Sequence, residues 1–331
     1  MSDIKIRPIS HDEFKEASSI ILDQHKWPFI QPDLDVLVSS PSSNFVAATD
    51  ASTGSLCGLI NLVIFPALSS PDDKRGYIGC LIVKDEYQRK GIGKKLLQWS
   101  FDKCREARCS TVWLSATDAG APLYASLGFH TTGRSAVYVK SGPAWSAGDA
   151  VREQPLEAAS KLIWASVKTM KRDRAQLWRE ATSMINKSLD DDRTSLVDAY
   201  VDDATVFFLA SSDDGGGETR VQAVLVSRPG YRSRQLLGPV CARSGEGAQL
   251  LFQTVTTAGD AGSSGGADTV VFAIASDTRY DGGAFDAFLG QAGGAAEEWT
   301  LKIMEMPMGA GTVAKAPTDV KQLALIDLSF D

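Results

Sequence analysis

Residues 77–97 hold the sharpest change of hydrophobic period in the chain. Tyr77-Ile78-Gly79-Cys80-Leu81-Ile82-Val83 is an apolar run rich in β-formers, which predicts a buried strand. From Ile92 onward the apolar positions Ile92, Leu96, Leu97 and Trp99 recur at helical spacing, which predicts a helix. Between the two lies Lys84-Asp85-Glu86-Tyr87-Gln88-Arg89-Lys90-Gly91, with Gly93 and Lys94 following. A strand, a basic glycine-containing loop and a helix start predict an anion site. The first N–H groups of a helix are unpaired and attract anions, and glycine lets backbone approach a phosphate. Arg89, Lys90 and Lys94 add positive charge. The ligand expected from the residues alone is a phosphate, most simply a pyrophosphate; the competing reading is an ordinary strand-to-helix turn on a solvated surface.

The same patterning orders the first 140 residues. Ile4 and Ile6 alternate as a strand, and Ser10 with Glu13 forms a capping-box signature for a helix to about Asp23. Two prolines follow, Pro28 and Pro32, then a short helix near Asp33–Ser39. Phe45–Thr49 and Leu56–Phe65 predict a hairpin around Asp50–Gly54. After the 77–97 unit come a strand at Thr111–Ala116, a short helix from Ala119 to Leu127 closed by Gly128, and a strand at Ala136–Lys140. Asp118 stands where a helix N-cap would. The succession predicts a mixed α/β fold.

Farther on, Lys140–Pro155 has the Gly, Ser and Pro content of a linker. Residues 156–200 show a helical pattern through Leu156, Leu162, Ile163, Trp164, Val167, Leu177, Trp178, Met184 and Ile185. Strands are predicted at 205–210, 220–226, 269–274 and 300–306, with a hairpin turn at Asp213–Gly217 and a helix at Gly283–Leu289. Residues 238–252 stand where 79–97 stand, and 270–289 where 112–127 stand, so the second half repeats the first. The expected division is 1–140, a linker 141–155, and 156–331. The Gly-rich segments 258–267 and 290–296 read as surface connections.

Composition narrows the classes. A chain of 331 residues, 44% hydrophobic and 23% charged, suits about two globular domains. A net charge of −7 argues against a general nucleic-acid partner. No apolar run reaches the ~18–20 residues needed to span a bilayer, and the first residues lack a signal-peptide core, so neither a membrane nor secretion is expected. The five cysteines Cys57, Cys80, Cys104, Cys109 and Cys241 show no metal spacing. They read as reduced thiols of a cytoplasmic protein, with no metal expected.

Gln88-x-x-Gly91-x-Gly93, between a strand and a helix, resembles the acetyl-coenzyme A signature of the GNAT N-acetyltransferases. Tyr124-Ala125-Ser126-Leu127-Gly128-Phe129 resembles the family's helix tyrosine followed by Gly-Phe. The resemblance covers roughly residues 3–140. It implies two tandem GNAT-like folds, each a mixed central sheet flanked by helices, the second degenerate: its phosphate loop lacks the cations and gains Glu246. It implies acetyl-CoA as co-substrate, with Leu81, Ile82 and Val83 pairing with the pantetheine arm. Gln88, Arg89, Lys90, Gly91, Ile92, Gly93 and Lys94 would hold the pyrophosphate, and Asp118 would lie at the cofactor. Tyr124 becomes the general acid for the departing thiolate; a phenol with a pKa of about 10 is protonated at neutral pH. His25, Trp27, Phe29 and Cys80 are the acceptor-side candidates. Many family members carry a strand glutamate, where this chain has Gly79 and Cys80. The base is thus open between a water, Asp118, His130 and His25. The expected acceptor is a small amine, and the expected protein a monomer or homodimer. The alternatives are a non-catalytic acyl-CoA-binding or regulatory module and a protein lysine acetyltransferase.

Overall fold

A computed structural model of the protein describes residues 3–21, 31–70, 72–142, 150–156, 160–200, 204–212, 219–229, 235–258, 268–276, 296–308 and 321–324. In chain order the first elements are β1 (Ile4–Pro8), α1 (His11–Ser19), α2 (Gln31–Ser39), β2 (Ser43–Asp50), β3 (Leu56–Pro66), β4 (Lys74–Val83), α3 (Ile92–Glu106), β5 (Cys109–Ala116), α4 (Ala121–Ser126) and β6 (His130–Gly142). They are followed by β7 (Arg152–Pro155), β8 (Ser160–Ser166), α5 (Val167–Asp173), α6 (Ala175–Leu189), α7 (Thr194–Tyr200), β9 (Thr205–Ser212) and β10 (Thr219–Pro229). The last are β11 (Gln235–Ala242), α8 (Gly245–Ala258), β12 (Asp268–Ser276), β13 (Ala296–Pro307) and β14 (Lys321–Ala324).

The chain divides into two compact units. The first comprises residues 1–131, 303–315 and 329–331; the second comprises 132–302 and 316–328. In the first unit the strands run β1-β2-β3-β4-β5, and the end of β13 lies beside β5. The Met308 N–H donates to the Ser110 carbonyl at 2.8 Å. Met304 is buried in this unit's core with Ile60, Leu62, Ile78, Leu96, Leu97 and Phe101. Residues from the far end of the chain therefore complete the first unit. The strand expected to finish it, Ala136–Lys140, belongs to β6, which pairs antiparallel with β12 from Arg134↔Ser276 to Gly142↔Asp268 in the second unit.

Helix α3 covers one face of the first sheet with Ile92, Leu96, Leu97, Phe101 and Cys104, all buried. It approaches β4 closely at Gly76, where a methyl group would stand 2.6 Å from Cys104 Sγ. Helix α1 covers the other face, with Phe14 edge-on to Phe45 at 5.6 Å between centroids. The Ser10–Glu13 capping box forms as expected. Glu13 also takes a two-pronged ion pair from Arg7, with Arg7 Nη1 at 2.7 Å from Oε2, and this guanidinium holds its pKa down at about 2.

In the second unit the strands run β7-β8-β9-β10-β11-β12-β6, with β14 on β11. Two expectations need correction here. Leu162, Ile163 and Trp164 lie in β8 rather than a helix, antiparallel to β9, because a short apolar run has no period that separates a buried strand from a buried helix. The expected linker contains β7, paired with β8 from Arg152↔Trp164 to Pro155↔Lys161. The expected helix at Gly283–Leu289, the turn at Asp213–Gly217, and most of the Gly-rich segments lie outside the described residues.

Candidate active site

Strands β4 and β5 are parallel, so their C-terminal ends meet at one edge. Their pairing runs only from Lys74↔Cys109 to Tyr77↔Trp113. Beyond it β4 is bulged: Leu59 pairs with Ile82 and Asn61 with Gly79, so Ile60 alone opposes Cys80 and Leu81. Cys80 adopts φ +51° there, and such a bulge bends its strand. On this side Ile82 and Val83 pair with β3; the other edge of the same residues faces the split from β5.

The split leads to the loop and helix that the sequence singled out. Asp85–Tyr87 form one 3-10 turn. Arg89 and Gly91 both have positive φ, +59° and +78°, with Lys90 between them on the negative side. Alternation of this kind turns successive N–H groups toward one concave side, a nest for an anion. Gly91 occupies the N-cap of α3 with no side-chain cap. The Lys95 N–H makes the first intrahelical bond, to the Gly91 carbonyl at 3.1 Å, so the N–H groups of Ile92, Gly93 and Lys94 precede it. A methyl on Gly91 would meet nothing within 4 Å, so the outer side of the nest is open.

Side chains of the loop divide in role. Gln88 braces the turn, donating from Nε2 to the Val83 carbonyl at 3.3 Å and to Asp85 Oδ1 at 2.8 Å. Lys90 Nζ donates to the Glu86 carbonyl at 2.7 Å and lies 5.0 Å from the Tyr87 ring centre. Lys84 pairs with Glu16 of α1. Arg89 and Lys94 are exposed.

Helix α4 meets this end of the sheet. A methyl on Gly93 would stand 3.7 Å from Leu123 Cδ2 and 3.8 Å from Val83 Cγ2, so α4, the start of α3 and the end of β4 converge. Tyr124 is half-buried and stacks edge-on against Phe129 at 6.0 Å; Phe129 in turn meets Phe101 of α3. Gly120 leaves room for the tyrosine ring, since a methyl there would come within 3.2 Å of Tyr124 Cε2. Gly128 has φ +102°, the conformation expected of a helix stop. Asp118 does not cap α4. The N-cap is Gly120, and the Thr117 hydroxyl accepts from the Gly120 N–H at 3.2 Å; Asp118 is exposed in the same turn. His130 is exposed at the start of β6. Cys80 is buried in the bulge. His25, Trp27 and Phe29 lie outside the described residues. Among the described residues no group of His, Cys, Asp or Glu could hold a metal ion, and no helix is long and apolar enough to cross a membrane.

Asn61, wholly buried in β3 beside the bulge, is absent from the residues that the sequence singles out. Its signal was a lone polar residue inside Leu59-Ile60-Asn61-Leu62-Val63.

Residues 7–129 match the Acetyltransferase (GNAT) family profile. The stretch that matches holds the split, the nest and the tyrosine helix. Residues 7–129 are a GNAT-family acetyltransferase domain. An uncharacterized N-acetyltransferase of Bacillus subtilis (strain 168), YitH, is 32% identical over 124 residues, 37% of this chain and 40% of that protein. The match thus spans less than half of that relative. Solved structures resemble the whole chain. A Pyrococcus horikoshii protein assigned to the acetyltransferases has a TM-score of 0.65 at 16% identity, covering 99% of this chain and 96% of its own. A tandem GNAT protein from the clavulanic acid biosynthesis pathway has a TM-score of 0.59 at 14% identity, covering 94% of this chain and 100% of its own. The chain as a whole has the fold of a tandem GNAT.

The second unit repeats the first in register. Leu225 pairs with Val240 and Ser227 with Leu237, so Val226 opposes Gly238 and Pro239, as Ile60 opposes Cys80 and Leu81. The connection that follows differs. Arg243 and Ser244 alone join β11 to α8, against Lys84–Gly91 in the first unit. The Ser244 hydroxyl accepts from the Gly247 N–H at 3.1 Å, and Glu246 adds negative charge in the first turn of α8. Strand β14 pairs with Val240, Cys241 and Ala242, and so takes the edge that corresponds to Ile82 and Val83.

Proposed function

We propose that the first unit transfers acetyl from acetyl-CoA to a small primary amine by direct attack in a ternary complex. The family uses acetyl-CoA as its co-substrate. One observation carries the reading: the open edge of β4 beyond Tyr77 leads directly into the Arg89–Lys94 nest, with Tyr124 on the helix beside it. The pantetheine arm would add to Leu81, Ile82 and Val83 as a strand adds to a sheet edge, and the pyrophosphate would take the amides of Arg89–Lys94. The amine nitrogen attacks the acetyl carbon, the C–S bond breaks, and the Tyr124 phenol gives its proton to sulfur. The surplus amine proton leaves to water, since Gly79 and Cys80 supply no carboxylate.

We assign the second unit no coenzyme. Its loop is short, its helix start is capped by Ser244, and β14 covers the corresponding strand edge. The division of labour is one acetyl-CoA site per chain.

The absent strand carboxylate favours a second reading, a non-catalytic acyl-CoA-binding module. A protein lysine acetyltransferase is the third. Release of free thiol from acetyl-CoA is the test, against spermidine, amino acids, glucosamine and a lysine peptide. Turnover of a small amine supports the proposal, and preference for the peptide supports the third reading. Thermal stabilisation by acetyl-CoA without turnover supports the second. Tyr124→Phe should lower kcat by about 10²-fold, the lower range for a lost general acid, with acetyl-CoA affinity unchanged; an unchanged kcat would remove Tyr124 from the mechanism.

A further inference from the structure

Asn61 is wholly buried in β3. Its Nδ2 donates to Ser43 Oγ at 2.7 Å, while its Oδ1 is buried and, among the described residues, accepts no hydrogen bond. A buried amide oxygen left unpaired costs stability, and proteins rarely keep one without use. Its position suggests the use. Asn61 pairs with Phe45 on one side and with Gly79 on the other. Phe45 packs on Phe14 of α1, so Asn61 stands on the α1 face, opposite the face filled by α3. Nδ2 is engaged by Ser43 of β2, and on its other side Asn61 is flanked by Gly79 of β4. There Gly79 carries no side chain, and the next two residues form the bulge at which the split from β5 opens.

The second unit repeats this arrangement. Ser227 stands at the register of Asn61, one residue after the position that faces the bulge. It is 1% exposed, and its Oγ is likewise buried without a hydrogen bond among the described residues. The recurrence of an unsatisfied polar side chain at one register beside one bulge marks a position of the fold rather than an accident of packing.

Resting on the acetyl-transfer reading, we propose that Asn61 Oδ1 accepts a hydrogen bond from the N–H of the acceptor amine, holding its nitrogen at the head of the β4–β5 split. An amide oxygen accepts such a bond without taking the proton. Asn61 thus positions the nucleophile, and the proton that the amine loses on acylation still goes to water. Ser227 is the same position in a unit whose slot β14 covers.

The experiment compares wild type with Asn61→Leu, a near-isosteric apolar replacement. Acetyl-CoA affinity is read by calorimetry, unfolding by its midpoint, and kinetics with the best substrate among spermidine, lysine, glucosamine and a lysine peptide. The proposal expects acetyl-CoA affinity within about twofold, KM for the amine raised about three- to tenfold, the scale of one lost hydrogen bond, and an unlowered midpoint. A purely structural Asn61 would lower the midpoint and leave KM for the amine unchanged. Should Asn61→Leu not fold, Asn61→Ser, which keeps a polar group but withdraws the carbonyl, is read in the same way. Ser227→Ala should leave both kinetic constants unchanged. Amine kinetics of the folded Asn61 variant within twofold of wild type overturn this proposal alone. A wild type that does not bind acetyl-CoA, or binds it and acetylates no amine of the panel, overturns it together with the reading on which it rests.

Discussion

Glutamate at position 91 separates backbone strain from charge at the nest. Gly91 has φ +78° and open space where a side chain would begin, so Gly91→Ala and Gly91→Glu both fit sterically. Both pay the left-handed backbone cost, about 1 kcal/mol for a residue with a Cβ. Only glutamate adds charge. Two unit charges about 5 Å apart interact by about 3 kcal/mol at an effective dielectric constant near 20. Exposure of the loop reduces this by about half, leaving roughly 1.5 kcal/mol for each of two pyrophosphate charges. The sum, about 3 kcal/mol, is about a hundredfold in Kd. Calorimetric titration with acetyl-CoA should therefore show Gly91→Ala within about threefold of wild type and Gly91→Glu about a hundredfold weaker, with both variants equally destabilised. Affinity of Gly91→Glu within threefold of Gly91→Ala would refute a phosphate at this loop.

Three further outcomes follow from the packing. Gly76→Ala places a methyl 2.6 Å from Cys104 Sγ and should destabilise by about 1–3 kcal/mol; adding Cys104→Ala should restore much of this in chemical denaturation, and an additive loss would place the strain elsewhere. Glu13 has its pKa lowered from 4.5 to about 2 by Arg7, so its contribution is full above about pH 5 and is lost as pH falls toward 2. With the Arg7 side chain 42% exposed, that contribution is discounted to about 1 kcal/mol. Glu13→Gln should flatten this part of the stability–pH curve, and an unaltered slope would show the pair to be neutral. A fragment of residues 1–140 lacks Met304 and the strand beside β5, and should neither fold cooperatively nor bind acetyl-CoA; a folded, binding fragment would show that the C-terminal segment is dispensable.

Local signals in the sequence were legible where the cause of structure is local. The Ser10–Glu13 box, the positive-φ glycines at 91 and 128, and the switch from strand to helix across 77–97 all depend on a few neighbouring residues. Leu162-Ile163-Trp164 misled because three apolar residues fit either period. The cap of α4 misled because Asp118 is a good cap residue, whereas the helix begins later and Gly120 occupies the N-cap. The strand that closes the first unit comes from residues 303–307. Its partner β5 lies about two hundred residues earlier, and no local pattern encodes that distance. The bulge at Cys80 was hidden for a related reason: its cause is the register of β3 against β4, not the identity of the residue with positive φ. Asn61 was visible as a lone polar residue in an apolar run, but its place beside the bulge depended on the same register.

Titration of acetyl-CoA into the 331-residue chain is the deciding measurement, because the two units share a bulge and differ in loop, cap and strand edge. One site per chain is expected, weakened about a hundredfold in Gly91→Glu. A stoichiometry of two, or no binding, would contradict it.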